Sequence, residues 1–242
     1  MNAMPSDTLL AALLQEAVLA LVALVVVGLA VPDALKRCTQ TVQQRSIVRF
    51  TAITLLLVGL VGGAITLLAW LFAGGGTMAC FASTALPSTA DLMENLLLLL
   101  GICLLTGLYE ESFMRVLGIE AFERALDTKR TILASAALFA LLHVGAPDVS
   151  AGQLVLLQTA LKFGQALLFG VILGALYVRT RRLWPCAFIH AGFDVLYMAP
   201  NVLLTGTMPE TYASGAVGDT VLLAVSVLML AGIVLKIRKE IA

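Results

Sequence analysis

Charge is scarce in this chain: 12% of its 242 residues are Asp, Glu, Lys or Arg, 60% are hydrophobic, and the mean hydropathy is +1.01. Soluble domains carry about a quarter charged residues, so this scarcity excludes an ordinary soluble fold. Histidine is scarcer still, with only His143 and His190. The four cysteines, Cys38, Cys80, Cys103 and Cys186, show no CxxC spacing, which gives no support to a disulfide framework or a thiolate metal site. The opening residues, MNAMPSDTLL, place no Lys or Arg ahead of a long apolar run, which argues for a retained helix and against a cleaved signal peptide. Heptads and internal repeats are missing, and the one low-complexity tract is Gly74–Gly76. Nothing points to nucleic-acid binding.

What is present is a series of long apolar runs. About 20 such residues cross a bilayer as a helix. Seven candidates follow: Leu9–Ala30, Phe50–Phe72, Leu96–Tyr109, Thr131–Val144, Leu154–Val178, Leu183–Leu203 and Val217–Leu235. The expectation is an all-α, polytopic helical bundle of about seven transmembrane helices, one membrane domain over residues 1–242. The longest connection, Gly74–Glu94, has room for a loop or a small interfacial helix. Of fifteen cations, fourteen fall in alternate loops and the C-terminal tail, and Lys162 is the exception. By the positive-inside rule that side is cytoplasmic, which puts the N-terminus out and the C-terminus in.

Against this background the polar residues inside apolar segments stand out. Glu110, Glu111 and Arg115 close the third run, His143 lies in ALFALLHVG, and His190 and Asp194 lie in CAFIHAGFDVL. Gln15, Glu16, Gln158, Lys162 and Gln165 complete the set. Charges left in lipid cost several kcal/mol, so an intramembrane ionisable residue is a functional hypothesis with its partner to be named. Glu111 and Arg115 are four apart with the Glu first, the favoured order for a helical pair. Glu110 points about 100° away on the same helix, free to face a cavity. His190 and Asp194 also share a helix face.

Bland readings stand beside these. The Glu111–Arg115 pair also fits a helix end at the membrane surface, and His143 alone fits a helix–helix hydrogen bond. For Lys162 with Gln158 and Gln165, a snorkelling lysine or a polar helix seam is the favoured account, with a cavity-lining role as the alternative. Gly170 and Gly174 form a GxxxG that suggests close helix packing. Taken together, two carboxylates and two imidazoles suit hydrolysis by water: Glu as general base, imidazoles to orient water, protonate an amine or bind a metal. Ser112 and Cys103 sit in no nucleophile motif, which leaves water as the nucleophile.

EESFMR (Glu110–Arg115) resembles the EExxxR motif of the CPBP family of intramembrane proteases, which takes in type II CAAX prenyl endopeptidases and abortive-infection or bacteriocin-immunity proteins. FALLH (Phe139–His143) is similar to that family's FxxxH, and HAGFD (His190–Asp194) to its HxxxN/D element. The similarity covers about 96–203, the CPBP-like protease core. It implies an intramembrane endopeptidase acting on a membrane-associated peptide or prenylated protein tail, with the active site open toward the cytoplasmic side; the compactness of the chain adds the expectation of a prokaryotic plasma membrane. In that reading Glu110, helped by His143, activates water, and His190 and Asp194 stabilise the oxyanion. Glu111 and Arg115 hold the architecture, and Phe139 supports it. Family members often carry Asn where this chain has Asp194. An ionised Asp accepts hydrogen bonds and donates none, and Glu110, His143, His190 and Asp194 form a ligand set that zinc accepts. The substitution tilts the set toward zinc and leaves a metal-free glutamate mechanism open.

Depth sets a condition on the shared site. At about 1.5 Å per residue, Glu110 and His190 come out shallow and His143 deeper. The expected remedy is a partly interfacial helix over Gly118–Arg130 that starts the fourth helix above the membrane plane. Two rivals remain: a catalytically silent immunity or binding protein of the membrane, and a proton-coupled transporter, for which neither inverted repeats nor paired broken helices are found.

Overall fold

The computed structural model describes residues 5–39, 45–71, 87–144, 152–208 and 213–241. Cys80 and Gly74–Gly76 lie outside them. The elements are α1 (Pro5–Ala30), α2 (Pro32–Thr39), α3 (Arg45–Leu71) and α4 (Thr89–Glu111), then a π-helical segment (Ser112–Ile119). They continue with a single turn α5 (Glu120–Phe122), α6 (Thr128–Val144), α7 (Gln153–Thr180), α8 (Leu183–Thr205) and α9 (Val217–Ile241). Among the described residues six helices are long and apolar enough to cross a membrane. The remaining sequence candidate, Thr131–Val144, lies in α6, a helix of 17 residues.

The polarity of the bundle is inverted relative to a water-soluble protein. Leu29 and Leu228 face outward at 82% and 72% exposure, while Glu111, Arg115 and Gln158 are wholly buried. This is what lipid as solvent selects, since leucine is at home outside and every polar group needs a partner inside.

Packing follows from small residues at the crossings. α4 packs on α8 and α1, α6 on α7, α7 on α9, and α3 on α8 and α9. A Cβ on Gly107 of α4 would lie 2.6 Å from the Ala187 carbonyl oxygen of α8, so only glycine allows that approach. Gly170 and Gly174 face Ala136 and Ile132 at 3.0 and 3.1 Å by the same measure, and so the GxxxG of α7 seats α6. Gln158 donates to the Ala216 carbonyl and Thr220, and Gln165 to Ser226, binding α7 to α9 and the residues before it.

The third apolar run does not end at Tyr109. Ser88 and Asp91 form a capping box at the start of α4, and the helix then runs unbroken through the π segment to Phe122. Glu110 and Glu111 can sit inside it because Arg115 compensates one and a cavity receives the other. The Gly118–Arg130 stretch is accordingly not one interfacial helix. It holds the end of the π segment, α5, a turn and the start of α6. Glu110 thus lies about 18 Å from the Phe122 end and His143 about 22 Å from the Thr128 end, at 1.5 Å per residue. That brings the two side chains to similar depth.

This same end carries ion pairs. Glu120 meets Arg37 at 3.0 Å, and Arg181, in a left-handed backbone conformation, meets Glu123 at 2.7 Å. The hydrogen bonds that Arg181 donates to Glu123, outweighing burial, hold its guanidinium above its ordinary pKa.

Candidate active site

Glu111 and Arg115 are the innermost pieces. Arg115 Nε donates to Glu111 Oε2 at 2.8 Å, and both side chains have no exposed surface. In a π segment the backbone hydrogen bonds close on the fifth residue, so each residue turns the chain less than in an α-helix and positions four apart come nearly into line. Arg115 Nη1 also donates to Ser135 Oγ at 3.0 Å, Ser135 donates onward to the Met114 carbonyl, and the guanidinium lies 5.1 Å from the Phe139 ring centroid. A buried ion pair is tolerable only when its remaining donors and lone pairs are met in this way.

The other oxygen of Glu111 reaches α8. His190 Nδ1 lies 2.9 Å from Glu111 Oε1, so the ring donates there and keeps Nε2 for the opposite side. Nε2 faces Asp194 Oδ2 at 3.4 Å and Glu110 Oε2 at 3.5 Å. Gly107 is what permits this meeting, because its contact on Ala187 sets the α4–α8 spacing one turn away. Phe169 and Phe139 hold the imidazole edge-on, with centroids at 5.2 and 5.8 Å.

His143 completes the set from α6. Its Nδ1 donates to the Phe139 carbonyl at 2.9 Å, which leaves Nε2 directed at Glu110 Oε2, 3.7 Å away. Tyr109 donates its hydroxyl to Glu110 Oε1 at 3.1 Å. Glu110 Oε2 is buried and has no hydrogen-bond partner among the described residues.

Two cavities meet at this carboxylate. A polar one of about 340 Å³ is lined by Thr106, Thr159, Lys162 and Asp194, with Glu110, His143 and His190 also on its wall. An apolar one of about 410 Å³ is lined by Tyr109, Phe113, Met114, Phe139 and Leu142, and again by Glu110 and His143. Leu142 is 66% exposed, so the apolar cavity lies at the lipid-facing surface.

The structure therefore gathers Glu110, His143, His190 and Asp194 around one polar space, with Glu111, Arg115 and Phe139 behind them. Sequence reasoning named Lys162 but favoured a structural account of it, and it passed over Tyr109 and Gly107. The signal for Lys162 was its position in mid-span, which a snorkelling lysine explains equally well. Glu16 of α1 is hydrogen-bonded to Thr106, which lines the polar cavity.

In donor type the set suits zinc: two imidazoles and two carboxylates, each imidazole fixed by a hydrogen bond at Nδ1. In arrangement it does not. The groups are strung in the order Asp194, His190, Glu110, His143, and among the described residues no three His, Cys, Asp or Glu form a group that could hold a metal ion. No step below is routed through a metal.

Residues 92–196 match the family model described as type II CAAX prenyl endopeptidase, Rce1-like. The Rce1-like segment spans every residue of the polar cavity wall named above, and leaves α1 to α3 and α9 outside it. No curated protein and no solved structure matches the chain.

Proposed function

We propose that this chain is an intramembrane endopeptidase that cleaves a peptide bond with a water molecule activated by Glu110. The observation that carries the reading is Glu110 Oε2, buried without a hydrogen-bond partner among the described residues and faced by two imidazole Nε2 atoms at 3.5 and 3.7 Å. A buried carboxylate oxygen needs a donor, and a water between it and the imidazoles supplies one.

Glu110 takes a proton from that water as its oxygen adds to the peptide carbonyl, whose π electrons move onto the oxygen. Collapse of the oxyanion breaks the C–N bond, and the amine leaves with the proton Glu110 took. His143, with Nδ1 committed to Phe139, turns Nε2 toward the water, and Glu111 with Arg115 holds His190 against the carbonyl. The two cavities support a membrane-associated peptide or prenylated protein tail as substrate, its apolar part held among Phe113, Met114 and Leu142. The loop cations support a site open to the cytoplasmic side, with the N-terminus outside. The mechanism needs no metal.

The test compares protein termini in membranes of cells expressing the native chain or Glu110→Gln at matched levels. Cleavage sites seen only with the native chain are expected; identical termini would overturn the peptidase reading in favour of a binding or immunity protein. Cleavage is expected to persist after a strong zinc chelator, and loss of it, restored by zinc, would replace the metal-free mechanism.

A further inference from the structure

The polar cavity holds a charge that the mechanism above does not use. Lys162 rises from α7 into the same space as Glu110, His190 and Asp194. Its Nζ donates to Gln165 Oε1 at 3.0 Å and stands 5.4 Å from the Tyr197 ring centroid. Gln165 is itself tied to Ser226 of α9 at 2.7 Å, so the ammonium is anchored from a helix outside the Rce1-like segment. It shares the cavity wall with the carboxylates of Asp194 and Glu110. A lysine that had only to escape lipid would extend to the nearest interface. This one is steered into a cavity and fixed there.

Charge balance says what it is there with. Glu111 is neutralised by Arg115, both fully buried. Asp194 has His190 Nε2 at 3.4 Å and the Lys162 ammonium on the wall of the same cavity as its cationic neighbours, and Glu110 keeps one oxygen without a hydrogen-bond partner among the described residues. Hydrolysis at Glu110 also creates a negative oxygen, and stabilising it requires donors aimed into the same space. An ionised Asp194 accepts hydrogen bonds and has none to give. An ammonium has three N–H donors, and Gln165 takes one.

We infer that Lys162 is a catalytic residue of this site, donating a hydrogen bond to the oxyanion while the Asp194 carboxylate holds its ammonium in place. The inference rests on the peptidase reading and adds the electrophilic half of the reaction. Water adds with its proton passing to Glu110, the oxyanion forms against Lys162 and His190, and Lys162 keeps all its protons through collapse. Asp194 becomes a positioning residue, acting through the lysine.

The experiment uses the full chain in lipid vesicles, an internally quenched peptide that the native chain cleaves, and a phosphinic peptide whose tetrahedral anion mimics the oxyanion. Lys162→Met is expected to lower kcat by about 100- to 1,000-fold, the usual effect of removing one oxyanion donor, with little change in KM. It is expected to weaken the phosphinic peptide but not the uncleaved substrate, and Lys162→Arg is expected to recover part of kcat. In an Asp194→Asn background the loss from Lys162→Met is expected to shrink, because the amide is itself a donor. If Lys162→Met leaves kcat and phosphinate affinity unchanged, or costs the same with Asp or Asn at 194, the inference fails and the peptidase reading stands. If Lys162→Met alone does not fold, the neutral pair Lys162→Met with Asp194→Asn decides: kcat below native with KM kept supports the inference, and native kcat overturns it. A native chain that cleaves nothing more than Glu110→Gln sinks both.

Discussion

Glu111 meets Arg115 and His190 at 2.8 and 2.9 Å with no exposed surface, whereas Glu110, one residue earlier, gives one oxygen to Tyr109 and turns the other toward two cavities. The same side chain, in the same apolar helix, is held once as a fixed strut and, in the proposed reaction, serves once as the base. Burial does not separate them, since the Glu110 side chain is itself only 16% exposed. Completeness of the hydrogen bonding does. A carboxylate with both oxygens engaged has no site for a proton to arrive, and one with a single unmet oxygen does.

The sharpest way to break this contrast is to disturb the strut. Glu111→Gln strands the buried Arg115 charge, so a loss of about 3–5 kcal/mol is expected, read as a collapse of thermal stability in detergent. Replacing Glu111 and Arg115 together by Met is expected to recover much of that stability and none of the activity, because His190 loses its anchor. Recovery of activity by the pair would show that Glu111 does nothing for the site. The matching change at Glu110 should act on rate alone. Glu110→Gln is expected to lower kcat by at least about 100-fold, in the range of general-base removal, with thermal stability kept or raised. A stability loss as large as that of Glu111→Gln would erase the distinction between the two neighbours.

Gly107→Ala tests the spacing that brings α4 to α8. Its methyl would press on the Ala187 carbonyl, and overpacking of this kind costs about 1–3 kcal/mol. Cleavage should fall as His190 is moved off both glutamates, with peptide binding in the apolar cavity affected less. The smallest effect is expected far from the site, at Cys38. Burial pushes its thiol up to about 11, so near pH 8 it carries almost no thiolate. Maleimide labelling of the folded chain at Cys38 should be negligible, and Cys38→Ser should leave cleavage intact; rapid labelling would mean that α2 opens.

How much of this the sequence disclosed depends on the kind of feature. Charges in an apolar run announce themselves, because lipid forbids an unpaired one, and that reasoning reached Glu110, Glu111, Arg115, His143, His190 and Asp194 together. The membrane-spanning runs were legible for the same reason. The π segment was not, since Ser112–Ile119 carries no composition that distinguishes one helical hydrogen-bond pattern from another. Ending the helix at Tyr109 followed from that gap, and with it the depth mismatch that is removed by the helix running on from α4 through the π segment to Phe122. Lys162 was read as structural because its significance lies in Asp194, a whole helix away. Gly107 was invisible for a related reason: its constraint is a backbone oxygen on α8.

The two cavities share only Glu110 and His143 among the residues that line them. A bond cut at that boundary would therefore sort its products by phase. The fragment held by the apolar side would be left to diffuse in the bilayer, and the fragment on the polar side would leave toward water. Each departure would be irreversible for want of a common solvent, so turnover on such a boundary would be limited by how fast the lipid-borne half clears, and product inhibition would come from that half alone.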